Sequence, residues 1–122
     1  MSREWRFYVS DMIEFAEKVL AYTHEMEQSR FEQSGLNYDA TLRNLELIGE
    51  AATHIPEYVR QFAGDIDWRR VVATRNRLIH GYLGIDNDTI WSIIQTDIPP
   101  LLHHLQALRA AADAGQIPGQ TA

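Results

Sequence analysis

The sequence predicts an all-α protein, an antiparallel bundle of four or five helices. Three observations carry this. Apolar residues recur at three- and four-residue spacings over long stretches, the period of a helix with one buried face. Capping and breaking residues such as Asp67, Pro56, Gly64 and Gly81 fall between those stretches. No segment alternates apolar and polar as a half-buried strand does, and no repeat or linker divides the chain. Helices of this length joined by short connections pack antiparallel. The 122 residues, 45% apolar and 23% charged, suit one globular domain. It is expected to span 1–113, with 114–122 as a flexible tail rich in Gly and Gln.

The first helix is expected over 4–22, with Trp5, Tyr8, Val9, Met12, Ile13, Phe15, Ala16, Val19 and Leu20 on its apolar face. Residues 23–36 are polar, a helical extension or a loop, and Gly35 reads as a break. A second helix runs from about Tyr38 to His54, with Leu42, Leu45, Ile48, Ala52 and Ile55 as its stripe. Asn37 or Asp39 is placed to cap it, and Pro56 limits its end. Glu57 to Phe62 suits a short helical turn ending near Gly64. Asp67 is a good cap for a third helix from Trp68 to about His80, with Gly81 at its C-terminus. The segment 84–88 is a turn and cap. The last helical region, about Thr89 to Ala112, buries Ile90, Trp91, Ile94, Ile98, Leu101, Leu102, Leu105 and Leu108. Pro99-Pro100 must kink or restart it, because two prolines remove two amide donors.

Composition excludes several function classes. There is no cysteine, so disulfides, thiolate nucleophiles and cysteine metal sites are out. No apolar run approaches a membrane span, and the N-terminus opens a charged amphipathic segment rather than a signal peptide. A cytoplasmic protein with no membrane association is the expectation. The net charge of −6 opposes generic nucleic-acid binding, but the charge is uneven. Residues 1–57 carry eleven acids and five bases, whereas 68–77 carry four arginines and no acid. Ten of the eleven basic residues are Arg, the better bidentate phosphate ligand. Such a body suits an enzyme that touches a few phosphates, or a protein whose acidic face meets a protein partner.

The stretch Arg75-Asn76-Arg77-Leu78-Ile79-His80-Gly81-Tyr82 concentrates the chemistry. Asn76 and His80 are four residues apart and share a helix face. Arg75 lies five positions before His80, roughly 140° around the axis, so its long side chain must reach around, or a ligand or second chain must unite the two. Metal-free cleavage of an RNA phosphodiester fits these groups. A histidine titrating near 6.5 can take a proton from a ribose 2′-hydroxyl or give one to a leaving oxygen. Arg75 can hold the scissile phosphate and its growing charge. Arg69, Arg70 and Arg77 are the candidates for further phosphate contacts, and Tyr82 can donate a hydrogen bond or stack on a base. One such histidine per chain makes separate acid and base roles simplest in a two-fold homodimer.

Plainer readings stand beside these. Arginines and a histidine at a helix end also serve the helix dipole. Tyr82 alone suits a half-buried aromatic. His103 and His104 point about 100° apart on a helix, poor joint metal ligands, and His24 and His54 have no ligand-spaced partner. Glu46 and Glu50 share a face, solvated or paired with Arg43, although one is within reach of the arginine-rich site. With no Gly-rich phosphate loop, no His-Glu-x-x-His and no Ser-His-Asp pattern, neither a metal nor a cofactor is expected.

Residues 75–80, an Arg, a polar residue, three variable residues and a His, resemble the motif of the HEPN superfamily. Gly81-Tyr82, Gly84-Ile85-Asp86 and Trp91 are similar to its HepT-like branch, as are Leu45 to Ala52, Asp65-Ile66-Asp67-Trp68 and Ile98-Pro99-Pro100-Leu101. The resemblance covers roughly residues 4–110. It implies a helical-bundle toxin of a toxin–antitoxin pair, a homodimeric, metal-independent endoribonuclease with Arg75, Asn76 and His80 in the catalytic motif. It further implies a minimal nucleotidyltransferase antitoxin as partner, which transfers AMP from ATP to Tyr82. The competing expectations are a non-catalytic module that docks a nucleotidyltransferase or binds a nucleotide, and a plain dimerisation bundle.

Overall fold

Helix α1 (Trp5–Thr23) buries Val9, Met12, Ile13, Ala16 and Val19 along one stripe. That stripe faces helix α3 (Gly35–Ala52), which buries Leu45, Ile48, Ala51 and Ala52. The pair is antiparallel. Asn37, near the start of α3, donates from Nδ2 to the Tyr22 carbonyl at the end of α1 (2.8 Å), while Tyr8, near the start of α1, stacks on His54 just beyond α3. On its other side α3 meets helix α5 (Trp68–Ile79). These bounds come from a computed structural model that describes residues 3–80 and 85–120. Gly81, Tyr82 and Gly84, all singled out in the sequence, lie outside the described residues.

The C-terminal run is helix α6 (Asn87–Ser92), a wide π-helical turn (Ile93–Asp97) and helix α7 (Ile98–Asp113). Asp86 caps α6 by accepting from the Thr89 amide at 2.7 Å. The prolines explain the wide turn. Neither Pro99 nor Pro100 can donate an amide, and a proline ring clashes with the carbonyl four residues back. The chain answers with a register slip, in which the Ile98 amide donates to Ile93, five residues back, so that α7 restarts with the prolines in its first turn. Helix α7 then packs along α1, again antiparallel, and Arg6 near the start of α1 pairs with Asp113 at the end of α7 (2.6 Å). The all-α bundle expected from the spacing of apolar residues is what the described residues form, and their buried side chains make one cluster.

Two regions differ from expectation. The polar stretch 23–36 contains helix α2 (Gln28–Gln33) around Phe31, which is 0% exposed and contacts the rings of Tyr38 and Trp91 at 5.2 and 5.4 Å. Its polar residues tie it to α6. Gln28 donates to Asp88, and Asn87 donates to Glu32 while accepting from Tyr38. Burial chiefly, with Glu32 and Asp39 nearby, pushes the Tyr38 hydroxyl above its ordinary value. Gly35 is no break. It opens α3, where helix amides lack intrahelical partners and a glycine costs little, and Ser34 rather than Asn37 or Asp39 precedes the helix. The segment after α7, expected to be flexible, folds back over residues 114–120. Gly115 and Gly119 take left-handed backbone angles, Ile117 is buried, and Gln120 donates to the Ala112 carbonyl at 2.9 Å. Helix α4 (Glu57–Phe62) falls where the sequence placed it. No helix among the described residues is long and apolar enough to cross a membrane.

Phe31 is thus the apolar anchor of a segment whose other residues are polar. Replacing a fully enclosed phenylalanine by alanine costs about 3–5 kcal/mol. Phe31→Ala should lower the urea midpoint accordingly and loosen α2; a change under about 1 kcal/mol would mean that α2 does not depend on it.

Candidate active site

Helix α5 is fixed at its start. Asp67 accepts from the Arg70 amide at 3.1 Å, the N-cap that the sequence predicted. Trp68 is buried, donates from its indole to the Ala63 carbonyl (3.1 Å) and lies under the Arg60 guanidinium. From that anchor α5 runs close against α3. A Cβ built on Gly49 would sit 2.1 Å from the Arg75 Cβ and 3.1 Å from the Val71 carbonyl oxygen. Only a glycine permits this approach, and it puts the root of Arg75 directly on α3.

The Arg75 side chain is consequently only 27% exposed. Its Nη2 donates to Glu50 Oε2 at 2.6 Å and its Nη1 to Asn76 Oδ1 at 2.8 Å. Its Nε is buried and has no hydrogen-bond partner among the described residues. Asn76 is exposed, with its side-chain oxygen turned toward Arg75. His80 caps the C-terminus of α5; its amide donates to the Asn76 carbonyl (3.1 Å) and its ring stays exposed. Arg75 and Asn76 are therefore brought together, whereas His80 stands at the helix end with Arg75 turned toward α3. Tyr82 lies outside the described residues.

The four arginines do not form one patch. Arg69 is exposed on an open groove between α4 and α5, shared with Val72, Ala73 and Asn76. Arg70 turns the other way and pairs with Asp97 of the π-helical turn at 3.0 Å, beside a cavity of about 240 Å³ lined by Leu45, Ile48, Val71, Ile93 and Leu101. Arg77 lies near Asp86. The Thr89 amide above all, with Arg77 contributing, holds that carboxyl below the usual carboxylate range. The scatter follows from helix geometry, since sequence neighbours on a helix diverge by about 100° while residues seven or eleven apart nearly eclipse. Arg69, Asn76 and His80 have that second spacing and make one stripe.

A further pair of groups borders the site. Of Glu46 and Glu50, one of which the sequence put within reach of the arginines, it is Glu50 that faces Arg75 with one oxygen, and it faces His54 Nε2 with the other at 3.7 Å. His54 in turn stacks on Tyr8 (centroids 4.4 Å apart, planes 10° apart), and Arg3 lies over the Tyr8 ring. The sequence reading missed His54. Its signal was the i,i+4 spacing from Glu50. Glu46 is paired with Arg43, as expected.

A helical bundle carrying an Arg, a polar amide and a His along one helix defines the class. A family model described as ribonuclease HepT-like matches residues 12–108, so the chain belongs to the HepT-like family of the HEPN superfamily. It is 33% identical to a probable ribonuclease HepT of Thermococcus cleftensis over 89% of this chain and 99% of that one. It is 32% identical to a putative RNase of Methanocaldococcus jannaschii over 81% of this chain and 91% of that one. A putative RNase of Caldanaerobacter subterraneus is 37% identical over 51% of this chain and 55% of its own. No solved structure matches significantly.

The contact at Gly49 gives a direct check. Gly49→Ala must push α5 off α3 against backbone, costing about 1–3 kcal/mol by overpacking. Thermal unfolding should show that loss, and a melting temperature equal to the parent's would mean that the helices separate freely.

Proposed function

We propose that the protein is a metal-independent endoribonuclease acting as the toxin of a toxin–antitoxin pair. The observation that carries this reading is Arg75, held against α3 beside Asn76, with His80 at the end of the same helix, inside a HepT-like match. In the proposed reaction the ribose 2′-hydroxyl loses its proton to a base and attacks the adjacent phosphorus. A 2′,3′-cyclic phosphate forms, the P–O5′ bond breaks, and the departing oxygen takes up a proton. His80 serves one of these proton transfers. Arg75 holds the non-bridging oxygens as their charge grows. Arg69, on the same stripe as Asn76 and His80, extends the phosphate track, with Arg77 and Arg70 as further contacts. Arg70 would have to leave Asp97 to serve.

The site is proposed to act in a two-fold homodimer. Arg75 and His80 leave α5 in different directions, and a symmetric partner offers a second copy of each. Regulation is proposed to come from a minimal nucleotidyltransferase antitoxin. The Tyr82 hydroxyl oxygen would attack the α-phosphorus of ATP, losing its proton and expelling pyrophosphate. The AMP left on Tyr82 would place a bulky anion near the arginines that otherwise meet RNA.

Removing one catalytic group costs on the order of a hundredfold or more. Arg75→Ala and His80→Ala should each lose at least that much RNA cleavage with unchanged helical content, and a chelator should leave the parent rate unaltered. Light scattering should give twice the 14.0 kDa of one chain. If both variants keep full activity, a non-catalytic module that docks a nucleotidyltransferase is the better description.

For Tyr82, co-expression with the antitoxin should yield an AMP adduct visible by mass spectrometry, and Tyr82→Phe should escape neutralisation. Silencing of the Phe variant without any adduct would show inhibition by binding alone.

A further inference from the structure

We propose that Glu50 is a positioning residue for Arg75, orienting the guanidinium for the phosphate while leaving it free to bind. This rests on the reading that Arg75 holds the scissile phosphate. A guanidinium has five N–H donors. In the structure Glu50 takes one from Nη2 and Asn76 one from Nη1, and Nε is enclosed. One hydrogen on each terminal nitrogen remains uncommitted to Glu50 and Asn76 and can be offered to a phosphate oxygen. Glu50 and Asn76 together therefore set the plane and direction of the fork without exhausting it.

Glu50 is itself held. It follows Gly49, the residue that lets α5 touch α3, so its Cα is fixed relative to Arg75. Its other oxygen faces His54, which is fixed by its stack on Tyr8. A free arginine side chain loses rotamer freedom when it is ordered. In this site the ordering precedes substrate, which is preorganisation. The carboxylate has an opposite effect on binding, because its negative charge lies beside the arginine that would hold a phosphate. A neutral acceptor of the same reach should therefore keep the orientation and strengthen ground-state binding.

The test is cleavage of a short RNA by Glu50→Gln, Glu50→Asp and Glu50→Ala, with Arg75→Ala in parallel. Glu50→Gln should keep kcat within about threefold and lower KM, since the amide oxygen still accepts from Nη2. Glu50→Asp keeps the charge but withdraws the acceptor by one methylene. It and Glu50→Ala should lose about ten- to a hundredfold in kcat, the scale of a misplaced catalytic group. An active Asp variant with a dead Gln variant would show that the charge or a proton transfer matters, and would overturn the proposal. So would parent-like kcat in Glu50→Asp and Glu50→Ala while Arg75→Ala is inactive. If Glu50→Ala does not fold, the Gln and Asp pair still decides. Full activity in Arg75→Ala would instead remove the underlying reading of Arg75.

Discussion

The contact between α3 and α5 at Gly49 and Arg75 is the constraint on which the site depends. With no side chain at position 49, two helices approach until a Cβ there would overlap that of Arg75. A long cationic side chain that would otherwise swing in solvent is pressed onto a neighbouring helix, where it donates to Glu50 and Asn76. The capping of α5 by Asp67 and the burial of Trp68 fix the helix's start, so the approach at Gly49 sets where Arg75 stands. Local sequence, helix packing and site geometry thus form one causal chain.

The legibility of the fold varied along the chain for physical reasons. Helices with a broad apolar stripe, α1, α3 and α7, were readable because burial follows the 3.6-residue period. Asp67 and the Pro99-Pro100 pair were readable because each has few conformational options. Helix α2 was not. It contributes one apolar side chain to the core, Phe31, and a period cannot be seen in a single residue. Its stability comes from packing on Tyr38 of the next helix and on Trp91 and the polar groups of α6, and these last lie far away in sequence. Ile117 was obscured in the same way, since a Gly- and Gln-rich composition says nothing of a single buried anchor.

The site divides along the same line. Arg75, Asn76 and His80 were visible because their chemistry is dense in six consecutive residues. What holds Arg75 was visible only as a possibility, because an ion pair between residues 50 and 75 requires the helix crossing. The grouping of the arginines was the least legible. Four bases in ten residues suggest a patch, yet the helix distributes them among the α4–α5 groove, the π-helical turn and the neighbourhood of Asp86. Charge counted along a sequence predicts a surface field only after division by helical face.

That distribution bears on how an acidic protein meets RNA under the proposed reading. Affinity for a polyanion grows with the number of phosphates neutralised, roughly one unit of salt dependence for each. A chain with net charge −6 whose Arg70 already serves Asp97 and whose Arg75 already serves Glu50 offers few uncommitted contacts. Tight, non-specific coating of RNA is therefore disfavoured, and the acidic first half opposes it further. Discrimination would then lie in whether a phosphate can be presented to the remaining Arg75 donors beside Asn76, at the end of a stripe that runs from Arg69 to His80. Such a site binds weakly and acts where the backbone can bend to bring a phosphate to Arg75 beside Asn76. Single-stranded or looped RNA meets that demand more readily than a stiff duplex, because its phosphates are not held in a regular helix.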